Sequence, residues 1–328
     1  MILSLGGKVR RSRPALFGIA TATAIGALAA LAGCTAGSEP GTGSGGTASP
    51  ALPAPTAPTA TEATTLYEVA YADISPKHRL DLYLPKPAAS PAPLLVWVHG
   101  GGFRVGDKVS VTSRYDPSAP PPRQPSECRE VVQVQAPDVA ALNAKGYAVA
   151  AVNYRLEANP VMALQDVKAA VRFLRANAAR YHLDADRFAA WGDSAGGYLV
   201  VMLGVTSGQK TKFDDPKLGN PDVPSTVQAV VDWFGPTDAN NMPGDLGQED
   251  SPYTYIAAGR PIPPFMIAHG DNDCVVPVDA SRRLADALTK AGLTATLTVV
   301  PGGIHEDPAF MRTLMTPTFA FLDKTFGR

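Results

Sequence analysis

The feature that most constrains the fold of this chain is the pentapeptide GDSAG at 192–196, which joins an apolar strand-like run to an apolar helix-like run. An ordinary strand-to-helix connection does not require glycines on both sides of a buried hydroxyl. In the pattern G-x-S-x-G, the small flanking residues let the backbone turn so sharply that the serine side chain stands clear of both elements. The sequence therefore predicts Ser194 as a nucleophile on a turn held by Gly192, Gly196 and Gly197.

The amino-terminal region carries the pattern of an export signal. Basic residues between Lys8 and Arg13 precede a long apolar run that ends in LAGC at 31–34. Small residues before a cysteine resemble the lipobox of bacterial lipoproteins, in which the chain is cut before the cysteine and that residue carries the lipid. Residues 1–33 are therefore predicted to be a lipoprotein signal peptide. Cys34 then anchors an exported protein to the outer face of the cell membrane. The apolar run is also about long enough to span a bilayer, so an uncleaved anchor is the alternative.

The next segment, residues 34–65, is rich in Gly, Ser, Thr, Ala and Pro, with no aromatic residue and no lysine or arginine. Such a composition cannot bury a core, and it predicts a disordered linker. Residues 66–328 are long enough for one large catalytic domain. The net charge of −1 gives no reason to expect a nucleic-acid partner.

Short β-rich runs alternate with helical runs from residue 66 onward, a pattern typical of a mainly parallel sheet with helices on both faces. LYEVAY at 66–71 and HRLDLYL at 78–84 predict an antiparallel pair. Further buried strands are predicted for the runs PLLVWVHG, YAVAAVNY, RFAAWG, VQAVVDWFG, PPFMIAHG and ATLTVVPGG. The run at 162–181 predicts an amphipathic helix with its charged residues on the outer face.

Five segments of this domain resemble, in order and spacing, the carboxylesterases of the hormone-sensitive-lipase type. They are HGGGF at 99–103, VNYRL at 152–156, the run from 166 to 197, HGDNDCVVP at 269–277 and GGIHED at 302–307. HRLDLYLP at 78–85 is similar to the bacterial feruloyl-esterase-like group. The resemblance implies an α/β-hydrolase fold, with a mostly parallel central sheet, helices on both faces and a lid-like insertion. It also implies a serine esterase.

Ester hydrolysis by a serine requires a base that takes its proton. In α/β-hydrolases the catalytic residues follow the chain order nucleophile, acid, histidine. Only His269 and His305 follow Ser194. His269 ends an apolar strand and is interpreted as a packing residue, whereas His305 lies in a glycine-containing loop and is the predicted base. The three earlier histidines receive other interpretations: His99 fixes a loop, and His78 and His182 lie at the surface.

Two aspartates compete for the acid that orients the base, because Asp271 and Asp273 both follow the strand ending near His269. The family form H-G-x-x-D-x-x-V-P implies Asp273. Asp271 is then a turn former, and it remains the alternative acid, with Asp238 and Glu306 as weaker candidates.

Backbone amides are expected to bind the oxyanion, since they are fixed before the reaction begins. The amide of Ala195, directly after the nucleophile, is one source. The resemblance implies Gly101 and Gly102 as the others. Phe103, Trp233 and Phe234 are predicted to line the substrate pocket. The long segment 104–134 is predicted to overhang the site as a lid, and 239–264 to form another wall.

These predictions describe an enzyme that acts on a small-molecule ester through an acyl-enzyme and needs neither a metal ion nor an organic cofactor. The alternatives are an amidase or formamidase, a serine peptidase of the same fold, and a non-catalytic binding lipoprotein. The sequence leaves the oligomeric state open.

If Cys34 carries lipid, the remaining cysteines are Cys128 and Cys274. Free thiols are uncommon in exported proteins, so a disulfide between these two residues is one interpretation. The other is that Cys274 is a small buried residue and Cys128 an incidental loop thiol.

Overall fold

The computed structural model describes residues 62–109, 137–238, 242–244 and 246–328. Within these residues, eight strands form one sheet in the order β1-β2-β4-β3-β5-β6-β7-β8. The strands are β1 (Thr64–Ala70), β2 (Arg79–Leu84), β3 (Ala92–Val98), β4 (Ala148–Val152), β5 (Leu183–Asp193), β6 (Ala229–Trp233), β7 (Phe265–Gly270) and β8 (Ala295–Val300). Antiparallel pairing joins β1 to β2 and β2 to β4, and all other neighbours are parallel. The predicted opening antiparallel pair and mainly parallel sheet are therefore confirmed.

Helices cover both faces of the sheet. They are α1 (Val139–Ala144), α2 (Pro160–Ala176), α3 (Ala195–Val205), α4 (Asp279–Lys290) and α5 (Ala309–Phe326), with short 3-10 turns at Pro216–Leu218, Gln248–Asp250 and Pro252–Thr254. Helices α2, α3 and α4 pack on one face, and α1 and α5 on the other. Alternate residues of a strand point to opposite faces, so Val96 joins the first core and Trp97 the second.

The loops that carry the predicted catalytic residues leave the same edge of this sheet. Parallel strands place their carboxyl ends together, and open α/β sheets bind ligands at that edge. The glycine loop follows β3, the serine turn follows β5, and the loops of Asp273 and His305 follow β7 and β8. Residues far apart in the sequence are thereby brought to one place.

Helix α2 departs from its predicted amphipathic pattern, because its charged residues are not on an outer face. Asp166, Lys168 and Arg172 are all buried. Loops supply these partners: Lys168 Nζ lies 2.8 Å from Asp214 Oδ1, and the guanidinium of Arg172 donates to two backbone carbonyls. The Nε2 of His78 lies 3.0 Å from Asp166 Oδ1. His78 is fully buried, so its predicted surface position is wrong.

Several predictions fall outside the described residues. Residues 1–61, with the predicted signal peptide and Cys34, are among them, as are 110–136, with Cys128 and most of the predicted lid. Strand β1 begins at Thr64, two residues before the predicted start of the catalytic domain at residue 66. In the part of the chain that the structure describes, none of the helices combines the length and apolar character needed to cross a bilayer.

Candidate active site

Ser194 occupies the sharp turn between β5 and α3. Its φ of +50° lies in the left-handed region, which costs a non-glycine residue energy and persists only where the surroundings enforce it. The surroundings do so through close backbone approach: a Cβ on Gly196 would collide with the carbonyl of Val98, and one on Gly192 with the carbonyl of Gly196. The Ser194 amide also donates to the carbonyl of Trp233 at 2.9 Å. The glycines of the pattern are therefore required by packing.

A chain of two hydrogen bonds links Ser194 to His305 and Asp273. The Oγ of Ser194 lies 2.9 Å from His305 Nε2. The Nδ1 of His305 lies 2.7 Å from Asp273 Oδ2. All three residues are at most 9% exposed. With Nδ1 donating to the carboxylate, Nε2 is free to accept the serine proton.

The carboxylate of Asp273 is built to stay ionised. Its Oδ1 accepts the amides of Val275 and Val276 at 2.9 and 2.8 Å. Burial by itself raises the pKa of Asp273, but hydrogen bonds from His269 and His305, together with the charge of His305, lower it to about 2. Asp271 is exposed and its Oδ1 accepts the amide of Gly302. The structure thus brings Asp273, and not Asp271, to His305.

The remaining histidines lie away from the serine hydroxyl. His99 is buried, its Nδ1 donates to the carbonyl of Gly100 at 2.7 Å, and its ring stacks on Tyr154. Burial lowers the pKa of His99 to about 4, so it is neutral and shapes the glycine loop. His182 is exposed and donates to the carbonyl of Ala88.

The glycine loop lies next to the serine turn. Gly101 has a φ of +106°, and a Cβ there would collide with the carbonyl of Val105. Gly102, with a φ of +59°, lines the cavity beside the nucleophile together with Ala195. Gly101 is not among the residues that line this cavity. Of the predicted oxyanion-binding residues, the structure therefore places Gly102 and Ala195 at the cavity wall and Gly101 in the turn behind it.

The cavity beside Ser194 has a volume of about 270 Å³. Phe103 lines it, as predicted, with the apolar side chains of Met242 and Val276 nearby. Arg283 of α4 lies at the same wall, and no sequence pattern predicted this position.

Trp233 and Phe234 do not line this cavity, which corrects their predicted role. Both side chains are fully buried. Trp233 belongs to the core under α5, where its ring packs edge-on against Trp191 at 4.8 Å. Phe234 lies 4.8 Å from the ring of His305, centroid to centroid. Trp233 is the last residue of β6, and because side chains alternate between the two faces of a strand, it points into the same core as Val231.

A larger cavity of about 740 Å³ lies at the opposite edge of the sheet, where β3 and β5 begin. Leu84, Ala92 and His182 are among the residues that line it. None of the predicted catalytic residues is at its wall, so size alone does not identify the site.

Comparison with known proteins agrees with this architecture. The family model named BD-FAE matches residues 128–250, which include the Ser194 turn. A truncated form of a carbohydrate esterase from gut microbiota has a TM-score of 0.67 and 26% identity, over 84% of this chain and 100% of that chain. Esterase 2 of Thermogutta terrifontis, phosphorylated by paraoxon, has a TM-score of 0.61 and 23% identity, over 80% of this chain and 94% of that chain. The chain has the α/β-hydrolase fold.

Curated sequences similar to this chain are named as esterases in several cases. Esterase LipC of Mycobacterium tuberculosis is 25% identical over 250 residues, which are 67% of this chain and 54% of the relative. The chain spans about half or less of the length of the curated relatives that it matches first.

Two carboxyl groups adjacent in the sequence to Ser194 and His305 are buried, and this burial was not predicted. Asp193 precedes the nucleophile and Glu306 follows His305, and they are 0% and 8% exposed. Burial and then the neighbouring Glu306 raise the pKa of Asp193. Burial and then the charge of Asp273 raise the pKa of Glu306 to about 8. Their only signal in the sequence is adjacency to catalytic residues, which does not reveal burial.

Proposed function

We propose that this chain is a serine carboxylic-ester hydrolase that works through an acyl-enzyme. Ser194 is the nucleophile, His305 the general base and Asp273 the acid that orients it. The observation that carries the proposal is the pair of hydrogen bonds, 2.9 Å from Ser194 Oγ to His305 Nε2 and 2.7 Å from His305 Nδ1 to Asp273 Oδ2. This geometry satisfies the reach required of a nucleophile, its base and the group that orients the base.

In the acylation step, His305 Nε2 takes the hydroxyl proton of Ser194 as Oγ attacks the ester carbonyl carbon. The resulting imidazolium faces the ionised Asp273, which stabilises its charge and fixes the ring. His305 then gives the proton to the leaving alcohol, and the acyl group stays on Ser194. In the second half, His305 draws a proton from water as the water oxygen attacks the acyl carbon, and it then returns that proton to Ser194 Oγ as the bond between the acyl carbon and Oγ breaks and the carboxylic acid leaves.

The oxyanion needs donors that are fixed before the reaction, and backbone amides beside the cavity meet this need. The amides of Ala195 and Gly102 are our first candidates, because both residues line the cavity with Ser194. Gly101 is retained as a donor only if the loop turns its amide toward the substrate. Removal of one such donor typically costs about 10² to 10³ in rate.

The substrate that we propose is an ester with a small or medium acyl group, aromatic acids included. The cavity of about 270 Å³ limits the part of the substrate next to Ser194, and its apolar lining suits an acyl chain or ring. The names of relatives, an esterase and a carbohydrate esterase, agree with ester chemistry.

We also propose that the enzyme acts outside the cell, held to the membrane by lipid on Cys34. The support is the sequence pattern alone, since these residues lie outside the described part of the chain. A Cys34→Ala variant is expected to leave the membrane fraction as a lipid-free protein. Full-length precursor mass in the membrane would support an uncleaved anchor instead.

The decisive experiment compares p-nitrophenyl esters of increasing acyl length with the matched p-nitroanilides. We expect hydrolysis of the esters, slower or no cleavage of the anilides, and a loss of about 10⁴-fold or more in Ser194→Ala. Ser207→Ala is the matched control, because it removes another buried serine hydroxyl at the far end of α3. Equal rates on anilides would identify an amidase. If no substrate is turned over and a fluorophosphonate does not label Ser194, the result would favour a non-catalytic binding protein.

A further inference from the structure

The catalytic carboxylate lies between two imidazoles. Besides His305 Nδ1 at 2.7 Å, the Oδ2 of Asp273 has His269 Nε2 at 3.3 Å. His269 is the penultimate residue of β7, and it is fully buried. Burial raises the pKa of Asp273, and the hydrogen bond from His269 is the foremost of the interactions that lower it.

The partners of His269 define its tautomer. Its Nε2 lies 2.8 Å from the carbonyl oxygen of Val276, and a carbonyl oxygen can only accept. Nε2 therefore carries a proton, which it shares between that carbonyl and the carboxylate of Asp273. Its Nδ1 lies 2.7 Å from Ser281 Oγ, whose hydroxyl can donate to a bare nitrogen. The neutral Nε2–H tautomer satisfies every one of these contacts.

These contacts close the loop that carries the acid. The loop leaves β7 at Gly270 and enters α4 at Asp279, and Ser281 lies in the first turn of that helix. His269 joins its two ends, through Val276 near the end of the loop and Ser281 within the helix. Both Ser281 and His269 are 0% exposed, so water does not compete for these hydrogen bonds.

Other groups face His269 from neighbouring elements. Asp232 of β6 is buried, and burial raises its pKa to about 7 while the nearby His269 opposes the rise. The ring of Phe234 lies 6.4 Å from that of His269. A packing residue at a strand end would need none of these polar partners.

We propose that His269 is a positioning residue for the reaction, with the Val276 carbonyl fixing its tautomer and Ser281 holding its ring at Nδ1. The proposal rests on the proposed function and adds a residue to it. The Nε2–H of His269 holds Asp273 Oδ2 in the direction of His305, and the Val276 carbonyl, which can only accept, excludes the tautomer that would turn a bare nitrogen toward the carboxylate. His269 touches neither substrate nor Ser194.

The test uses three variants of the full chain and two readouts. His269→Leu removes both nitrogens, and we expect kcat to fall about 10²-fold with KM unchanged, as misplacement of a catalytic group by about 1 Å does. His269→Gln keeps a donor at the Nε2 position and is expected to recover kcat to within about 10-fold of the unmutated protein. Ser281→Ala removes the hydrogen-bond partner of Nδ1 at little cost in volume, so the ring is held less firmly, and we expect kcat to fall about 10-fold. Ser207→Ala serves again as the control with unchanged kcat.

The second readout does not depend on turnover. Nitrogen-15 NMR of the histidines is expected to report the Nε2–H tautomer for His269 in the unmutated protein and also in Ser281→Ala, because the acceptors at Nε2 are unchanged. A purely structural clamp would lower the Tm of His269→Leu and leave kcat within about 2-fold for the folded fraction. That result, or an Nδ1–H tautomer at His269, would overturn the proposal. An unmutated protein that hydrolyses no ester overturns the proposed function, and NMR still decides the tautomer.

Discussion

The ring of Phe234 lies 4.8 Å from the imidazole of His305 and is inclined to it by 62°. Phe234 also packs against Phe310 of α5 at 4.9 Å, so the aromatic cluster under α5 extends to His305, the proposed base. Side-chain packing of this kind fixes a ring in one rotamer. Phe234 therefore packs against the imidazole of His305, whereas Phe103 lines the cavity beside Ser194.

This difference predicts opposite kinetic effects for two phenylalanines. Phe234→Leu opens space behind His305, and we expect kcat to fall about 10-fold with KM little changed, because the base is less well oriented. Phe103→Leu alters the cavity wall, and we expect it to change KM and the preferred acyl length more than kcat for the best ester. Steady-state kinetics on the p-nitrophenyl ester series checks both. If Phe234→Leu changed KM more than kcat, Phe234 would have to be a residue of the substrate pocket after all.

The acid can be tested by a matched pair of variants on one loop. Asp273→Asn keeps the shape of the side chain but replaces an oxygen that accepts the Nδ1–H of His305, and we expect a loss of about 10⁴-fold in kcat. Asp271→Asn affects only the contact with the amide of Gly302, and we expect less than about 10-fold. The comparison needs one ester at one pH, with Tm measured for each protein. Greater damage from Asp271→Asn would contradict the assignment.

The strands could be predicted from the sequence because local pattern determines them. Each buried run is bounded by turn residues, and the β1–β2 pair and the parallel core follow from these runs. The Ser194 turn could also be predicted from the sequence, since glycines at fixed offsets from a serine allow the backbone few conformations. Chain order reduced the bases to His269 and His305. The geometry that selects one of them is a long-range contact, because His305 follows Ser194 by 111 positions in the sequence.

The failures have the same physical origin. His78 is buried because Asp166, which lies 88 residues later, provides a partner for its imidazole. Nothing near His78 in the sequence indicates this contact. Phe234 follows the last residue of β6 and has a φ of +42°, so strand alternation no longer decides where its side chain points. His269 looked like a packing residue because its polar partners, Val276 and Ser281, lie in the following loop and helix.

Cys274 follows Asp273 directly and is disulfide-bonded. Its predicted partner, Cys128, lies outside the described residues, and the pairing stays a prediction. We expect a non-reducing digest to give one linked pair of peptides, containing Cys128 and Cys274, and Cys128→Ser to make Cys274 alkylatable. Because the bond restrains the loop of the acid, reduction should also lower Tm and kcat. A linked peptide containing Cys34 would contradict both this pairing and the lipid anchor.

Glu306 predicts how the stability of the domain changes with pH. Burial and the charge of Asp273 raise its pKa from 4.5 to about 8. The folded state therefore binds more protons than the unfolded state between these values, so the stability linked to the protonated carboxyl is present below pH 4.5 and lost as pH rises through about 8. We expect the Tm of the unmutated protein to fall between about pH 6 and pH 9.

The Glu306→Gln variant tests this expectation. Its side chain has nearly the same shape and is neutral at every pH, so its Tm should fall less over the same range. A difference of about 1 kcal/mol would shift Tm by about 2–4 °C in a domain of this size. Glu157→Gln, at an exposed glutamate, is the control and should follow the unmutated protein. Parallel curves for Glu306→Gln and the unmutated protein would show that Glu306 titrates near its ordinary value.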